Sequence, residues 1–310
     1  MNSGLKVIAP ASVSNLGCGF DALGVAINVS SDEIIGRWSE IPGVRITSIT
    51  GNKKDIPLSA DKNIAGITAQ SLLKYLGEEK RGLELKINKL IPAGSGLGSS
   101  ASSATAAAVL VNELLNRPLE KHELIPFALD GEVTASGSRH GDNIIPALMG
   151  GLILVRDIDS YDYHRIYTPP GLYLSILLPD IMIPTKTARD ILKREVSLKE
   201  MVSQSANLGS FIIGMYLSDL DLISRSMNDH IIEPQRKHLI PHFDEVQEAA
   251  FNLGALGCSI SGAGPAIFAL CKEKMQATDI ATAMLNVYAR HGLEAKNFVG
   301  AINHEGTVAM

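Results

Sequence analysis

The chain has 310 residues, is 45% hydrophobic and carries a formal net charge of −5. These values predict a globular protein with enough core for two domains, and they argue against a broad nucleic-acid interface. No apolar run reaches the length of a membrane span, and the first residues lack the apolar region of a signal peptide. The odd number of cysteines, without metal-ligand spacing, predicts reduced thiols in a cytoplasmic protein; they are Cys18, Cys258 and Cys271.

The first half of the chain predicts both strands and helices. Strands are expected at residues 6–9, 23–29, 33–38, 44–49 and 83–88. Helices are expected at residues 63–76, 101–115 and 119–129. The second of these helices carries Ala, Ser and Thr on nearly all of its faces. We therefore expect it to pack closely between other elements.

The second half begins after a polar stretch at residues 156–160, which predicts a domain boundary between residues 1–156 and 157–310. Later strands are expected at residues 163–168, 172–178, 258–261, 266–271 and 295–301. Later helices are expected at residues 187–193, 198–217, 220–227, 243–253 and 277–291. This irregular order favours an α+β fold over a regular βαβ alternation.

A glycine-rich loop joins the strand at 83–88 to the Ala-rich helix. Its glycines, Gly94, Gly96 and Gly98, permit left-handed backbone and a close approach of N–H groups to a ligand. Ser99 and Ser100 are candidate N-caps of a helix whose N-terminus carries partial positive charge. These features predict a phosphate site, although a flexible turn has a similar composition. The loop lacks both the lysine of a P-loop and the spacing of a dinucleotide fingerprint.

An earlier turn, at residues 10–21, is rich in Gly, Ser and Asn but also contains apolar residues, which indicates a loop fixed to the core. Asn15 and Asp21 are its candidate specificity residues, unless both only make local backbone bonds. Cys18 is a conceivable nucleophile, but no paired base is evident, and a small buried thiol is the favoured interpretation.

Two later segments add candidate residues. Residues 136–143 form a polar, glycine-containing segment before an apolar stretch, and residues 261–265 lie between two predicted strands, where a hairpin turn is the simpler interpretation. His238 and His242 have the spacing of metal ligands on a helix. Pro241 interrupts that pattern, so we discount it.

The three glycine-rich loops together carry a family resemblance. Residues 92–101 resemble the phosphate loop of the GHMP small-molecule kinases, and residues 10–21 and 259–265 are similar to that superfamily's first and third motifs. Within it the chain most resembles the homoserine kinase family, from about residue 6 to about residue 302. The resemblance implies an N-terminal domain like ribosomal protein S5 domain 2, a C-terminal ferredoxin-like domain and a site between them. The further matching motifs are His140-x-Asp142-Asn143, Thr185-x3-Arg189 and Glu233-Pro234-x-Arg236.

The resemblance implies that ATP and Mg²⁺ bind to the first domain. Lys89 would add positive charge beside the phosphates, unless it is a solvated strand lysine. Asn63 resembles a residue of the adenine pocket, although a helix N-cap fits as well. Ser100 and Glu132 resemble the family's Mg²⁺ ligands, and such oxygen donors suit this ion. The loop residues that would hold the ATP phosphates are Pro92, Ala93, Gly94, Ser95, Gly96, Leu97, Gly98, Ser99, Ser100 and Ala101.

The resemblance also implies a site for the zwitterion L-homoserine. Asn15 and Asp21 would receive its ammonium group. Arg189 and Arg236 would hold its carboxylate in bidentate fashion, with surface ion pairs as the alternative for both. Two further candidate substrate contacts are Thr185 and His140, the latter with a loop-stabilising role as its alternative.

Asn143 bears on the mechanism. Mevalonate-type relatives carry an Asp, as candidate base, ahead of their Gly-Gly pair, and counting back from Gly150 places Asn143 there. An amide accepts no proton but can hydrogen-bond the attacking hydroxyl. We therefore expect phosphoryl transfer by positioning and charge stabilisation, with Asn143 and Arg189 as catalytic residues and no protein base. Asp142 remains the alternative for proton transfer.

The resemblance thus implies ATP-dependent phosphorylation of the L-homoserine hydroxyl in threonine biosynthesis, by a homodimer. Two alternatives stay open. One is another GHMP kinase that acts on a small alcohol, against which the pair of arginines and Asp21 favour a zwitterion. The other is a non-catalytic nucleotide sensor, which has no need of the Mg²⁺ ligands Ser100 and Glu132.

Overall fold

The computed structural model describes residues 4–52, 56–136 and 139–310, with only the backbone described at 134–136. Gly137 and Ser138, part of the polar segment singled out in the sequence, lie outside the described residues. The strands are β1 (Leu5–Ser14), β2 (Leu23–Ser39), β3 (Gly43–Gly51), β4 (Gly82–Lys89), β5 (Leu152–Asp157), β6 (Asp162–Ile166), β7 (Tyr173–Pro179), β8 (Gly257–Ile260), β9 (Ile267–Cys271), β10 (Ala295–Ala301) and β11 (Val308–Ala309). The helices are α1 (Ile64–Tyr75), α2 (Ser99–Leu114), α3 (Ile125–Ser136), α4 (Gly141–Met149), α5 (Thr185–Asp190), α6 (Leu198–Leu217), α7 (Leu220–Ser226), α8 (Glu233–Arg236), α9 (Phe243–Asn252) and α10 (Lys274–Arg290).

A seven-stranded sheet has the order β11-β1-β2-β4-β3, with β5 also paired to β2 and β6 paired to β5. The two strands predicted at 23–29 and 33–38 are wrong in one respect, because they form the single strand β2. The polar residues between them form a bulge, where pairing with β1 shifts register between Pro10 and Ala11. The bulge bends β2, so that its first residues pair with β5 and its last with β4.

Helices α1 to α4 cover one face of this sheet with a shared apolar core. Helix α2 is buried on nearly all sides, which confirms the expectation from its small residues. Small side chains let its backbone approach its neighbours closely, and this fixes the start of α2 rigidly against the sheet.

A four-stranded antiparallel sheet follows, in the order β10-β7-β9-β8. A second apolar core lies between the two sheets and includes α6, and a third lies under α9 and α10. The expected α+β fold is confirmed. The first sheet gains β6 and β11 from beyond residue 156, and the boundary at 156/157 stays a prediction.

Most elements agree with the sequence-based expectations within a few residues. The helix expected at 119–129 is instead a 3₁₀ turn followed by α3, because Pro126 suits the first turn of a helix that begins at Ile125. Helix α4 and strand β5 were not predicted, because they divide an apolar stretch that has neither a helical nor a strand period. Helix α8 and strand β11 were not predicted either, since four- and two-residue elements leave no periodic pattern. Among the described residues, no helix is long and apolar enough to cross a membrane.

Candidate active site

A cavity of about 390 Å³ lies where the three glycine-rich loops meet. Its wall also includes the starts of α1, α4 and α5, together with Glu132 of α3 and Arg236 of α8. The structure therefore brings together residues that are far apart in the sequence. The predicted site residues in the wall are Asn15, Asp21, Asn63, Lys89, Ala93, Gly94, Ser95, Gly96, Gly98, Ser99, Ser100, Glu132, His140, Asn143, Thr185, Arg189 and Arg236.

The phosphate loop has the predicted backbone. Gly94, Gly96 and Gly98 have φ values of 70°, 80° and 67°, in the left-handed region. The expected serine cap is wrong, because Gly98 is the N-cap of α2 and offers no side-chain acceptor. Ser99 instead donates its hydroxyl to the carbonyl oxygen of Ile91 at 2.9 Å. No side chain caps the first turn of α2, so its N–H groups suit an anion.

The third loop closes the hairpin between β8 and β9, as predicted, and also holds the other two loops. Ser261 donates its hydroxyl to the carbonyl oxygen of Gly96 at 2.6 Å. The N–H of Ala266 donates to Ser95, and that of Gly262 donates to Ser14 in the first loop. The shape of the phosphate loop thus depends on the hairpin of the second sheet.

Gly96→Ala tests this contact. A Cβ atom at Gly96 would lie 2.5 Å from the Ser261 carbonyl oxygen, whereas one at Gly43, with a φ of 87°, meets nothing within 4 Å. Both alanines carry left-handed strain of about 1–3 kcal/mol, but only the first also displaces a loop. We expect Gly96→Ala to lower the unfolding free energy more than Gly43→Ala and to raise KM for ATP. Equal losses in urea titrations, with unchanged KM, would contradict the prediction.

Lys89 lines the cavity but is not the solvated strand lysine of its alternative interpretation, because its side chain is buried among protein partners. It is 2% exposed, forms an ion pair with Asp32, and donates to the Ser99 carbonyl oxygen and the Ser103 hydroxyl, both at 2.8 Å. These three bonds use all three ammonium protons. Asp32 also accepts the N–H groups of Leu90 and Ile91 at 3.0 Å. The pair therefore joins β2, the entry to the loop and the first turn of α2.

Asn63 caps α1, as one of its two interpretations predicted. Its side-chain oxygen accepts the N–H of Ala65 at 3.0 Å, and its amide donates to Pro57 at 2.8 Å. Asn63 also lines the cavity. A contact with adenine stays a prediction.

Ser100 and Glu132 lie together at the cavity wall. Burial raises the pKa of Glu132, while a hydrogen bond with Ser100 and the charge of Lys89 lower it. A buried carboxylate beside a hydroxyl is a pair of hard oxygen donors, which fits Mg²⁺ completed by phosphate oxygens and water. A cation here would offset the burial cost that raises this pKa.

Asp21 and the two candidate arginines form a charged cluster around Phe20. Arg189 donates to both carboxylate oxygens of Asp21, at 2.7 and 3.0 Å. Arg236 is 3% exposed and gives two of its five N–H groups to the carbonyl oxygens of Ala188 and Gly262. Both guanidinium groups lie about 5 Å from the ring centre of Phe20. Burial, and secondly the charge of Arg189, lower the pKa of Arg236 to about 10.

Asn15 forms part of the loop junction. Its amide donates to the Gly262 carbonyl oxygen at 2.9 Å, and its oxygen accepts the N–H of Asp21 at 3.1 Å. The bond to Asp21 is the local backbone bond that one interpretation of Asn15 predicted, whereas the bond to Gly262 joins two loops that are distant in the sequence. His140 precedes α4 with its Nδ1 3.8 Å from Asp21, and burial lowers its pKa. Thr185 begins α5 at the edge of the cavity and is exposed. Direct contacts of these three with a substrate stay predictions.

Asn143 and Asp142 lie in the first turn of α4, in the wall of the cavity. The Asn143 oxygen accepts the Ser12 hydroxyl at 2.8 Å, and its amide donates to Ser14 at 2.9 Å. Asp142 is buried, and its pKa rises to about 7, first through desolvation and then through the charge of Asp21. Two serines of β1 therefore fix the orientation of the Asn143 amide. The carboxyl group of Asp142, its neighbour in the chain, has a pKa close to neutral pH.

The structure also shows what the sequence did not. Burial raises the pKa of Cys18 to about 12, which fits the interpretation as a buried thiol. Asp32, Ser12, Ser14 and Phe20 support the site, but sequence reasoning missed their roles. Only the alternation of β1, which places Ser12 and Ser14 on one face, was a usable signal.

Comparisons with known proteins agree along the whole chain. A model described as GHMP kinases N terminal domain matches residues 63–151, and one described as GHMP kinases C terminal matches residues 211–290. A homoserine kinase of Chloroherpeton thalassium is 41% identical over 96% of this chain and 97% of its own length. A homoserine kinase of Chlorobium phaeobacteroides is 42% identical over 91% of both chains.

Solved structures show the same arrangement. A crystal structure of homoserine kinase from Cytophaga hutchinsonii superposes with a TM-score of 0.97 and 43% identity, over 100% of this chain and 98% of that one. A mevalonate kinase of L. major, in complex with R-mevalonate, has a TM-score of 0.73 at 19% identity, over 96% of both chains. The latter likeness concerns the fold alone.

Proposed function

The chain belongs to the GHMP kinase family, and we propose that it is an ATP-dependent homoserine kinase. It transfers the γ-phosphoryl group of ATP to the side-chain hydroxyl of L-homoserine and releases ADP and O-phospho-L-homoserine, a step of threonine biosynthesis. One observation carries the proposal. The anion-binding start of α2 and the charged cluster of Asp21, Arg189 and Arg236 line one cavity, as transfer from a nucleotide to a zwitterion requires.

The nucleotide side of the cavity suits a triphosphate. Backbone N–H groups of the loop and of the first turn of α2 hold phosphate oxygens. Ser100 and Glu132 would hold Mg²⁺, which supplies charge neutralisation for the phosphates when bound. Lys89 supports the phosphate site indirectly, because its ammonium group donates to the Ser99 carbonyl oxygen and the Ser103 hydroxyl in the first turns of α2.

The amino-acid side of the cavity exchanges partners on binding. Asp21 and Arg189 bind each other in the present structure. A zwitterion offers an ammonium group to Asp21 and a carboxylate to Arg189 and Arg236, so each charge gains a new partner of opposite sign. Both guanidinium groups lie close to the ring of Phe20, and the charge of Arg189 acts unfavourably on Arg236, so a carboxylate bound by both would relieve this repulsion.

Transfer follows from alignment in this proposal. Ser12 and Ser14 fix the amide of Asn143, which hydrogen-bonds the substrate hydroxyl and directs it to the phosphate. Arg189 adds positive charge where the transferred group develops negative charge. The loose transition state of phosphoryl transfer needs little assistance from a base, so the hydroxyl proton leaves late and passes to an oxygen of the transferred phosphoryl group, and from there to water. Free, buried Cys18, Cys258 and Cys271 suit a reducing cytoplasm, and a homodimer is the expected assembly.

The test is ADP release with ATP and Mg²⁺ against a panel of acceptors. It contains L-homoserine, D-homoserine, L-serine, L-threonine, mevalonate, galactose, and homoserine analogues that lack either the carboxylate or the ammonium group. We expect strong preference for L-homoserine and at least about a hundredfold lower kcat/KM for either analogue, because each leaves buried charges without partners.

Each other outcome separates the alternatives. Turnover of mevalonate or galactose would preserve the phosphate site but overturn the substrate assignment. ATP binding without turnover of any acceptor would favour a nucleotide sensor. Equal turnover of the analogues and of L-homoserine would show that Asp21, Arg189 and Arg236 do not select the substrate.

A further inference from the structure

A second cluster of ligand-type side chains lies on the C-terminal half, outside the cavity. It consists of His242, Glu245 and His291, whose nearest ligand atoms all lie within 4.8 Å of one another. His242 Nδ1 lies 2.7 Å from one carboxylate oxygen of Glu245, and His291 Nε2 lies 2.9 Å from the other. The two imidazole rings stack, with centres 3.5 Å apart. We propose that these residues bind one borderline divalent cation, with Zn²⁺ as its representative.

The backbone brings these residues together from distant parts of the sequence. His242 is the N-cap of α9, with a φ of 55°, and Glu245 lies in the first turn of that helix. His291 is the C-cap of α10, which packs against α9. Both helices rest on the same apolar core. The ligands therefore project from the ends of two fixed helices, an arrangement that limits the cost of bringing them together.

The ligand set selects the class of ion. Two imidazoles and one carboxylate are the donors of three-ligand zinc sites, which leave a fourth position open to water. Imidazole suits Zn²⁺, Ni²⁺ and Cu²⁺, whereas Mg²⁺ prefers oxygen donors throughout. Glu245 supplies the carboxylate, and its two oxygens already face one ring nitrogen each of His242 and His291 at hydrogen-bond distance.

Binding requires small side-chain movements. Tetrahedral coordination places ligand atoms about 3.3 Å apart, slightly further than the present nitrogen-to-oxygen hydrogen bonds. The rings must also turn out of their stack so that both nitrogen lone pairs meet at one point. His242 and His291 are about one-third exposed, at 31% and 34%, and can turn. The facing ring nitrogens must then carry no proton, which moves to the other ring nitrogen or to solvent.

The sequence had pointed to a different pair. The spacing of His238 and His242 looked like helical metal ligands but was discounted because of Pro241. His238 is exposed and is not a member of the cluster of His242, Glu245 and His291. The structure places Glu245 and His291 beside His242 instead. Because His291 is distant in the sequence, residue spacing could not have predicted this contact.

Calorimetric titration of Zn²⁺ into the untagged, metal-free full chain, without nucleotide, tests the proposal. We expect one ion per chain, and a Zn²⁺ affinity at least about a hundredfold lower in His242→Ala and in His291→Ala, because losing a ligand costs more than losing its supporting hydrogen bond. Glu245→Gln, which keeps the side-chain shape, should also weaken binding. His238→Ala, a nearby exposed histidine, is the matched control and should bind as the wild type does.

A Co²⁺ absorption spectrum adds a readout of geometry, and homoserine kinase turnover with far-ultraviolet circular dichroism shows that each variant is folded. Absence of Zn²⁺ binding to the wild type would overturn the proposal. So would binding that survives in both histidine variants, which would place the ion elsewhere. An equal loss in His238→Ala would show that Zn²⁺ only collects on surface histidines.

Discussion

Lys89→Met is expected to lower the free energy of unfolding by about 3–5 kcal/mol, because it leaves a buried carboxylate without its cation. Asp32 is fully buried and would keep only hydrogen bonds as compensation. Lys86→Met, three positions earlier in the same strand and exposed, is the matched control. Urea titration followed by circular dichroism measures both, and a Lys89→Met protein as stable as the control would contradict the ion pair.

The double variant Asp32→Asn, Lys89→Met separates support of the loop from direct action on phosphate. Removing both charges takes away the uncompensated carboxylate, so part of the lost stability should return. If Lys89 acts only by fixing the loop, KM for ATP should recover together with stability. If its charge acts on the phosphates directly, the double variant should be stable and still bind ATP weakly.

The parts of the site that the sequence predicted are those with local causes. Gly94, Gly96 and Gly98 adopt left-handed backbone because no side chain opposes it, and their spacing alone indicates this. The packing of α2 follows from its own small residues. The family resemblance then supplied the pairing of distant loops, which no periodic pattern in a single sequence contains.

The parts that escaped prediction depend on contacts between distant residues. Asp32 lies between two predicted strands, yet it pairs with Lys89, 57 residues along the chain and just ahead of the phosphate loop. Phe20 reads as a core residue, and only the fold places two guanidinium groups against its ring. The N-cap of α2 was misassigned because the helix already begins at Ser99, after Gly98, and the Ser99 hydroxyl donates to the Ile91 carbonyl oxygen. Local propensity loses where tertiary hydrogen bonds are available.

The electrostatics of the cavity were also beyond the sequence. Asp142 is an ordinary acidic residue by composition, and its pKa of about 7 arises from burial and from nearby Asp21. The folded protein therefore retains a proton that the unfolded chain releases, and stability falls as pH rises from about 4 to about 7. Asp142→Asn should remove the part of this dependence that Asp142 contributes, and urea titrations of both proteins across that range measure the difference. A carboxyl group with a pKa in this range could also accept a proton, so Asp142 is the alternative to a mechanism without a protein base.

Asn143→Ala decides between the two mechanisms when compared with Asp142→Asn. We expect Asn143→Ala to lower kcat about a hundred- to a thousandfold, because one fixed hydrogen bond to the reacting group is lost. Asp142→Asn should lower kcat less than about tenfold, because phosphoryl transfer depends mainly on alignment. Steady-state kinetics at saturating ATP and homoserine measure both, with the unfolding curves as the control for structure.

The pH profile makes this comparison sharper. In the wild type, Asp142 gains its proton as pH falls through about 7, so any part of kcat/KM that needs its charge is lost on the acidic side. In Asp142→Asn that limb should vanish, leaving the variant close to the wild type at low pH. Equal and very large losses of kcat in both folded variants would instead make Asp142 the proton acceptor. Asn143 would then orient the hydroxyl toward it, and the proposal of transfer without a protein base would be wrong.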